Sequence, residues 1–378
     1  MSALEFERFS LECRGKNASL QSADLVFAGT PMHLQGTAGI TEAAYTFDLE
    51  LTAASLDAAA FARMQKETSD SPPKQDDPPR EKPPINGTIR FKTPRFTFKD
   101  YTWTPLHADI AIQSDMVNIA VIQADLCGIA TPGTIRIEPD GMHLSFRPST
   151  GKQNMQTTWE CLQDRPLQAD SFYSLIGKVE THGPADDLMQ NLRGEIAFSS
   201  DDGIIYRSNM LTKIFAFLNI TEVFAGKESG LREKGFGYDA IRAHAAIKAG
   251  AINFDELLVD GHTMKVSGEG TVDLVKATLD LNLLVAPLKT FDRLVKKMPV
   301  VGYITGGSVL SVPIRIKGST ADPQVRPLPP AAVGRGLMGI LERTLKAPLK
   351  VVESLPGVED QDTPSTGQKK NQSGSAQP

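Results

Sequence analysis

The tightest constraint on this chain is a spacing of two. Leu279, Leu281, Leu283 and Val285 recur at every second position, and so do Leu310, Val312, Ile314 and Ile316. Alternate side chains of a strand share one face, so each run lays branched apolar groups on one side of a sheet and polar groups on the other. Between the two runs, Phe291, Leu294, Val295 and Met298 fall at helical spacing with Arg293, Lys296 and Lys297 on the flanks, until Pro299 ends the turn. The order reads as strand, short basic helix, strand.

The same alternation recurs upstream. Tyr45, Phe47, Leu49 and Leu51 predict a strand, and the Ala-rich stretch 56–64 predicts a helix. Residues 67–84, ETSDSPPKQDDPPREKPP, carry too many prolines and charges to continue a sheet and read as a linker. Strands are predicted over 85–91, 95–99, 108–112, 117–124, 133–137 and 142–146, then 171–181 and 192–199, with turns at Pro139-Asp140-Gly141 and Asp201-Asp202-Gly203. A helix is predicted over 209–219, with Met210, Leu211, Ile214, Phe217 and Leu218 on one side and Ser208 or Asn209 as N-cap. The last strands before residue 279 are 240–249, 251–259 and 262–273, with turns at Gly250 and Asp260-Gly261.

Nothing alternates strand with helix in the βαβ manner, which argues against a doubly wound fold. The expectation is a mainly β chain, a long antiparallel sheet with a few short amphipathic helices near the C-terminus. Five segments result: 1–66, strands with a helical exit; 67–84, linker; 85–326, the main β domain; 327–352, a basic amphipathic helix; and 353–378, a disordered tail rich in Gln, Ser, Gly and Pro.

With 378 residues and 40% apolar content the chain can bury a core. Its net charge of -5 conceals a basic end, since residues 287–350 hold eleven Lys or Arg against three Asp or Glu. That excess points to an anionic partner. Few aromatics and no nucleic-acid module make a phospholipid membrane surface the better candidate than RNA or DNA. In the 331–352 helix, Val333, Leu337, Ile340, Leu341 and Leu345 form one stripe, with Arg335, Arg343, Lys346 and Lys350 elsewhere. The candidate membrane-surface residues are Phe291, Arg293, Lys296, Lys297, Arg335, Leu337, Leu341, Arg343 and Lys346. A helix that caps the end of the sheet, with its charges in solvent, accounts for the same pattern. The opening MSALEFERFS has no signal-peptide pattern, and no run reaches the roughly 18 apolar residues of a spanning helix, so a cytosolic protein or a missing front end is expected.

Catalytic chemistry finds no purchase. His33, His107, His143, His182, His244 and His262 are scattered without metal-binding spacing, and Gly268 and Gly270 lack the rest of a dinucleotide loop. Neither a nucleophile elbow nor a phosphate loop is present. No enzyme activity, cofactor or metal is expected. Cys13, Cys127 and Cys161 match no zinc pattern. Free or buried thiols and a Cys127–Cys161 disulfide both remain open, the latter in an oxidising compartment.

Several ordered blocks carry a family likeness. LRGEIAFSSDDGIIYRSNMLTKIFAFLNITEVF, GFGYDAIRAHAAI, VDGHTMKVSGEGTVDL, LDLNLLVAPLKTFDRLVKKMPVVGYITGG and VPIRIKGSTADPQVRPLPP, spread over roughly residues 85–350, resemble the C-terminal region of AsmA-like proteins of Gram-negative bacteria. The ADLCGI and WECLQ blocks are also similar, which supports pairing Cys127 with Cys161. The resemblance implies a bridge-type lipid-transfer protein: a curled β trough with an apolar inner face, anchored in the inner membrane, reaching into the periplasm and serving outer-membrane lipid homeostasis. The usual N-terminal membrane helix is absent from this sequence.

A lipid-lining role is therefore expected for Leu279, Leu281, Leu283, Val285, Leu310, Val312, Ile314 and Ile316, with phospholipid, a membrane surface and envelope proteins as partners. Packing of the same faces against a second layer, as in a β-sandwich, is the plainer alternative from alternation alone. A non-catalytic scaffold for outer-membrane biogenesis is the rival function.

Overall fold

The computed structural model describes residues 4–27, 29–41, 44–58, 84–162, 167–207, 213–214, 235–287, 304–306, 309–334, 337 and 339. Their strands join into one curled sheet of 22. β1 (Leu4–Arg14), β2 (Asn17–Phe27), β3 (Thr30–Ile40) and β4 (Tyr45–Ala53) form an antiparallel meander. β6 (Ile85–Thr93) then lies parallel to β4, and β7 (Phe96–Phe98) parallel to β5 (Leu56–Asp57).

Beyond that junction every pairing is antiparallel. β8 (Tyr101–Gln113) and β9 (Met116–Leu126) are followed by a line made of β10 (Ile129–Ala130) and β11 (Gly133–Glu138). A second broken line comprises β12 (Gly141–Phe146) and β13 (Ser149–Asn154). Then come β14 (Gln168–Gly183), β15 (Arg193–Arg207), β16 (Phe236–Lys248), β17 (Ala251–Gly261), β18 (Met264–Asp273) and β19 (Thr278–Pro287). β21 (Val309–Ser319) pairs with β19, β22 (Gln324–Pro327) with β21, and β20 (Ile304–Gly306) with the start of β21.

The mainly β expectation holds, with three corrections. The sheet is mixed, because β4 and β6 run the same way; local alternation cannot report the direction of a strand separated by a long connection. Leu56 and Asp57 are strand where a helix was expected, held by pairing with Phe96 and Thr97. Ala58 is helical, and residues 59–64 of that expected helix and nearly all of 67–84 lie outside the described residues. Asp201-Asp202-Gly203 is no turn. β15 runs through it, with Asp202 at φ 49°, and the step from Asp201 to Ile204 faces only the step from Phe172 to Asp170 on β14, which makes it a bulge.

α1 (Met155–Leu162) is a described helix in mid-chain, and the short helices expected near the C-terminus fall largely outside the described residues. Asn154 caps α1, its Oδ1 accepting from the Thr157 amide at 2.9 Å. Apart from Lys213 and Ile214, the helix expected over 209–219 lies outside the described residues, as does the one expected around 291–298.

The two long lips of the sheet differ. At one, strands are joined by tight hairpins such as Ala249-Gly250, where φ of 51° and 71° matches the positive φ that two-residue turns require. From the other leave the long connections after Asp57, Arg207 and Pro287, and there α1 sits, tied by a Cys127–Cys161 disulfide with Cα atoms 5.7 Å apart. Cys13 is exposed and unpaired.

Candidate functional site

The register turns separate alternations into continuous rows. One begins Phe9–Ala23–Leu34–Leu51–Phe91–Ala108–Val121, each residue directly opposite the next. It continues Gly133–Phe146–Val179–Gly194–Ile247–Ile252–Val272–Leu279–Gly318. From β1 to β21 no polar side chain interrupts it. A neighbouring row on the same face reads Leu11–Leu20–Gly36–Leu49–Ile89–Ile110–Ile119–Ile135–Leu144. The parallel step keeps the faces aligned, because Leu49 meets Ile89 and Leu51 meets Phe91.

The opposite face is wet. Glu12–Ser19–Thr37–Asp48–Thr88 forms one of its rows. Arg90 meets Asp48 and Lys92 meets Glu50, each at 3.0 Å, so charge pairs lace this face across the junction. A concavity of about 680 Å³ draws on two of these polar rows and the isoleucine row between them, with Arg90, Asp109, Arg136, His143, His182 and Arg193 among its lining. His143 and His182 are stacked, 5.8 Å apart.

Glycines on the apolar face make room for aromatic rings on the neighbouring strand. A Cβ on Gly87 would lie 2.4 Å from the Phe47 carbonyl oxygen and 2.5 Å from its ring, and one on Gly133 2.5 Å from the Phe146 ring. Each aromatic ring therefore occupies the space over its cross-strand glycine that a side chain would fill.

Burial along the apolar face divides it in two. Leu25, Met32, Phe91, Leu106 and Val121 form a core in the N-terminal half, while the isoleucines of the second row stay half-buried. In the C-terminal part a denser cluster joins Phe236, Tyr238, Met264 and Ile214 to seven of the expected lipid-lining residues: Leu279, Leu281, Leu283, Val285, Val312, Ile314 and Ile316. Leu281 faces Ile316, Leu283 faces Ile314 and Val285 faces Val312. Leu310 lies in β21 beside them.

Other expected site residues are placed less fully. Leu337 is buried, with zero exposure. Phe291, Arg293, Lys296, Lys297, Arg335, Leu341, Arg343 and Lys346 lie outside the described residues. Among the described residues no helix is long and apolar enough to cross a membrane, and no three His, Cys, Asp or Glu side chains converge as metal ligands. Instead His33, His244 and His262 each sit 2.9 Å from an aspartate on a neighbouring strand.

Two features escaped sequence reasoning. Arg242 is buried on the polar side and donates to the Ser200 and Ile241 carbonyls at 3.0 and 2.9 Å and to Asp201 at 2.5 Å. Asp201 lies beside the bulge, which no local pattern announced. α1 is anchored by Thr158, whose hydroxyl donates to the Cys127 carbonyl at 2.9 Å and accepts from the buried Tyr173 hydroxyl at 3.1 Å. Burial pushes the Tyr173 phenol above its usual pKa. The Asn154-x-x-Thr157 capping pattern was the available signal for this helix.

Comparison with known proteins agrees with the AsmA-like resemblance. The family described as YhdP protein matches residues 6–325. Over 54 residues the chain is 41% identical to the intermembrane phospholipid transporter YhdP of Escherichia coli (strain K12), a match covering 14% of this chain and 4% of that protein. No solved structure matches. A family match over so much of the sequence, together with a curled sheet bearing one unbroken apolar face, establishes that this chain belongs to the YhdP family.

Proposed function

We propose that this chain binds phospholipid by its acyl chains along the apolar face and takes part in passive transfer of phospholipid between membranes. The observation that carries this reading is the row from Phe9 to Gly318, which runs from β1 to β21 without a polar interruption. Acyl chains need only dispersion and exclusion of water, worth ~0.8 kcal/mol per buried CH₂. Because successive positions are chemically alike, a chain can shift by one strand with little change in free energy. The headgroup stays at the open, wet side. The name of the E. coli relative, an intermembrane phospholipid transporter, points to the same cargo.

The work is done in the periplasm, at the inner membrane, a reading that the AsmA-like resemblance supports. Contact of the basic 287–350 region with an anionic membrane surface, and with envelope proteins, belongs to the same proposal. A scaffold without cargo would fill its whole inner face with its own side chains. The half-buried isoleucines of β6 to β11 favour the lipid reading instead.

The test is mass spectrometry of lipid that co-purifies with the full chain after gentle extraction. Stoichiometric phospholipid is expected in the parent protein, with at least a fivefold loss in Ile119→Glu at unchanged far-UV circular dichroism. A stable parent protein free of lipid would overturn the reading.

A further inference from the structure

The two lips carry different side chains. Where β7 turns into β8, at the lip of the long connections, Phe96 faces Trp103 and Phe98 faces Tyr101, which sets four aromatic rings on the apolar face of one hairpin. Phe96 and Trp103 pack on the N-terminal core with ring centroids 5.9 Å apart, and the Trp103 indole donates to Thr131 at 3.0 Å. Phe98 and Tyr101, at the tip, are 46% and 43% exposed. The Lys99 ammonium lies 5.5 Å from the Phe98 ring centre, an attraction that keeps it at the tip beside Asp100. Arg95 is a second exposed cation, at the base of the hairpin. Trp159 on α1 and Tyr206 at the end of β15 are exposed on the same lip.

The lip of tight hairpins differs in both respects. Its exposed large side chains include Ile40, Ile85, Met189 and Val275, with Tyr45 as an aromatic. Its turns hold Asp115, Asp140, Asp186 and Asp187 against Lys16 and a Lys276 already bonded to Asp273 at 3.0 Å. Tyrosine, tryptophan and lysine suit the boundary between hydrocarbon and headgroup, with ring or stem against the chains and the hydroxyl, N–H or ammonium toward phosphate. Carboxylates repel a phosphate.

We infer that the β7–β8 hairpin is the headgroup contact of the apolar face. This rests on the proposed lipid reading and fixes which way round a phospholipid lies. Its acyl chains begin against Phe96, Phe98 and Trp103, its phosphate sits beside Lys99 and Tyr101, and its headgroup projects at the lip of the long connections rather than among the aspartates of the other.

The test reads nitroxide quenching in the full chain after it has taken up lipid from phosphatidylcholine vesicles and been separated from them. The phosphatidylcholine carries the nitroxide either on its headgroup or midway along an acyl chain. With Trp159→Phe, Trp103 alone reports the hairpin; Tyr45→Trp, combined with Trp103→Phe and Trp159→Phe, reports the opposite lip on the same face. The headgroup label is expected to quench Trp103 by more than half and Tyr45→Trp by less than a tenth. Equal headgroup quenching at both lips, or acyl quenching of Trp103 with none from the headgroup label, overturns the inference and leaves lipid binding standing. If neither label quenches either reporter, the lipid reading falls and the inference with it. Lys99→Glu, on an exposed turn, tests the phosphate contact itself. Headgroup quenching of Trp103 is expected to fall at least twofold while acyl quenching is kept, and unchanged headgroup quenching refutes the contact.

Discussion

Removing the disulfide isolates how much of one region's stability lies in the unfolded chain. Cys127 and Cys161 close a loop of sequence separation 34. The chain-entropy relation gives a loss of ~12.6 cal/mol/K on closing such a loop, or about 3.8 kcal/mol at 298 K. The native contacts around it do not depend on the sulfurs: Thr158 still reaches the Cys127 carbonyl, Tyr173 still reaches Thr158, and Asn154 still caps α1. Cys127→Ser combined with Cys161→Ser should therefore leave the far-UV spectrum in water unchanged while lowering stability by most of that amount.

Both tryptophans report this region. Trp103 lies opposite Leu126, one residue before Cys127, and donates to Thr131 at 3.0 Å; Trp159 is on α1. A long sheet can unfold in sections, so a local fluorescence signal is more informative than a global one. In urea, with a slope of ~2 kcal/mol/M, the fluorescence midpoint should fall by about 2 M. A shift under about 0.5 M would show that the reduced, unfolded chain already keeps this loop closed. A changed spectrum in water would show that the bond, not the hydrogen bonds, holds α1 in place.

Other expectations are simpler to state. Leu283→Ala, in the densest part of the sheet, should cost ~2–5 kcal/mol in chemical denaturation, and a cost below ~1 would contradict its packing. Gly87→Ala forces a Cβ against the Phe47 backbone and ring and should destabilise by ~1–3 kcal/mol, read as a lower melting temperature. Hydrogen bonds from Arg315 at 2.6 and 2.5 Å hold the Asp280 carboxyl below its usual pKa, with Lys317 assisting and partial desolvation opposing. A depressed folded-state pKa adds stability that is fully present above the unfolded value of ~3.9 and is lost as pH falls through the folded one. Asp280→Asn should flatten the acid side of the stability profile below about pH 4, modestly because the pair is partly exposed and salt-screened. An unaltered slope would sink that assignment.

Period-two patterning made the faces legible. Leu279 to Val285 and Leu310 to Ile316 could be placed in strands because each residue's side follows from its neighbours. The Ala249-Gly250 turn was legible for a similarly local reason. What escaped was non-local. The parallel approach of β6 to β4 depends on where a long connection returns, and the bulge at Asp202 depends on pairing with β14. Alternation also could not tell an accessible apolar position from a filled one. Ile119 and Leu283 look equivalent in sequence, yet only the second is enclosed, because Phe236, Tyr238, Met264 and Ile214 converge on its cluster from distant parts of the chain.

The unequal lips bear on how the chain tolerates changes in length. One residue added at Ala249-Gly250 would have to be absorbed as a bulge, or else every side chain of one flanking strand would swap sides, putting Ile247 among polar neighbours and Lys248 on the apolar face. At the opposite lip, the connections after Asp57, Arg207 and Pro287 are long enough to take up extra residues before the next strand begins. Lengthening a flexible connection twofold costs only about 0.6 kcal/mol. Insertions and deletions should therefore accumulate at that lip, and a folded module grafted there would leave the pairing of every strand intact.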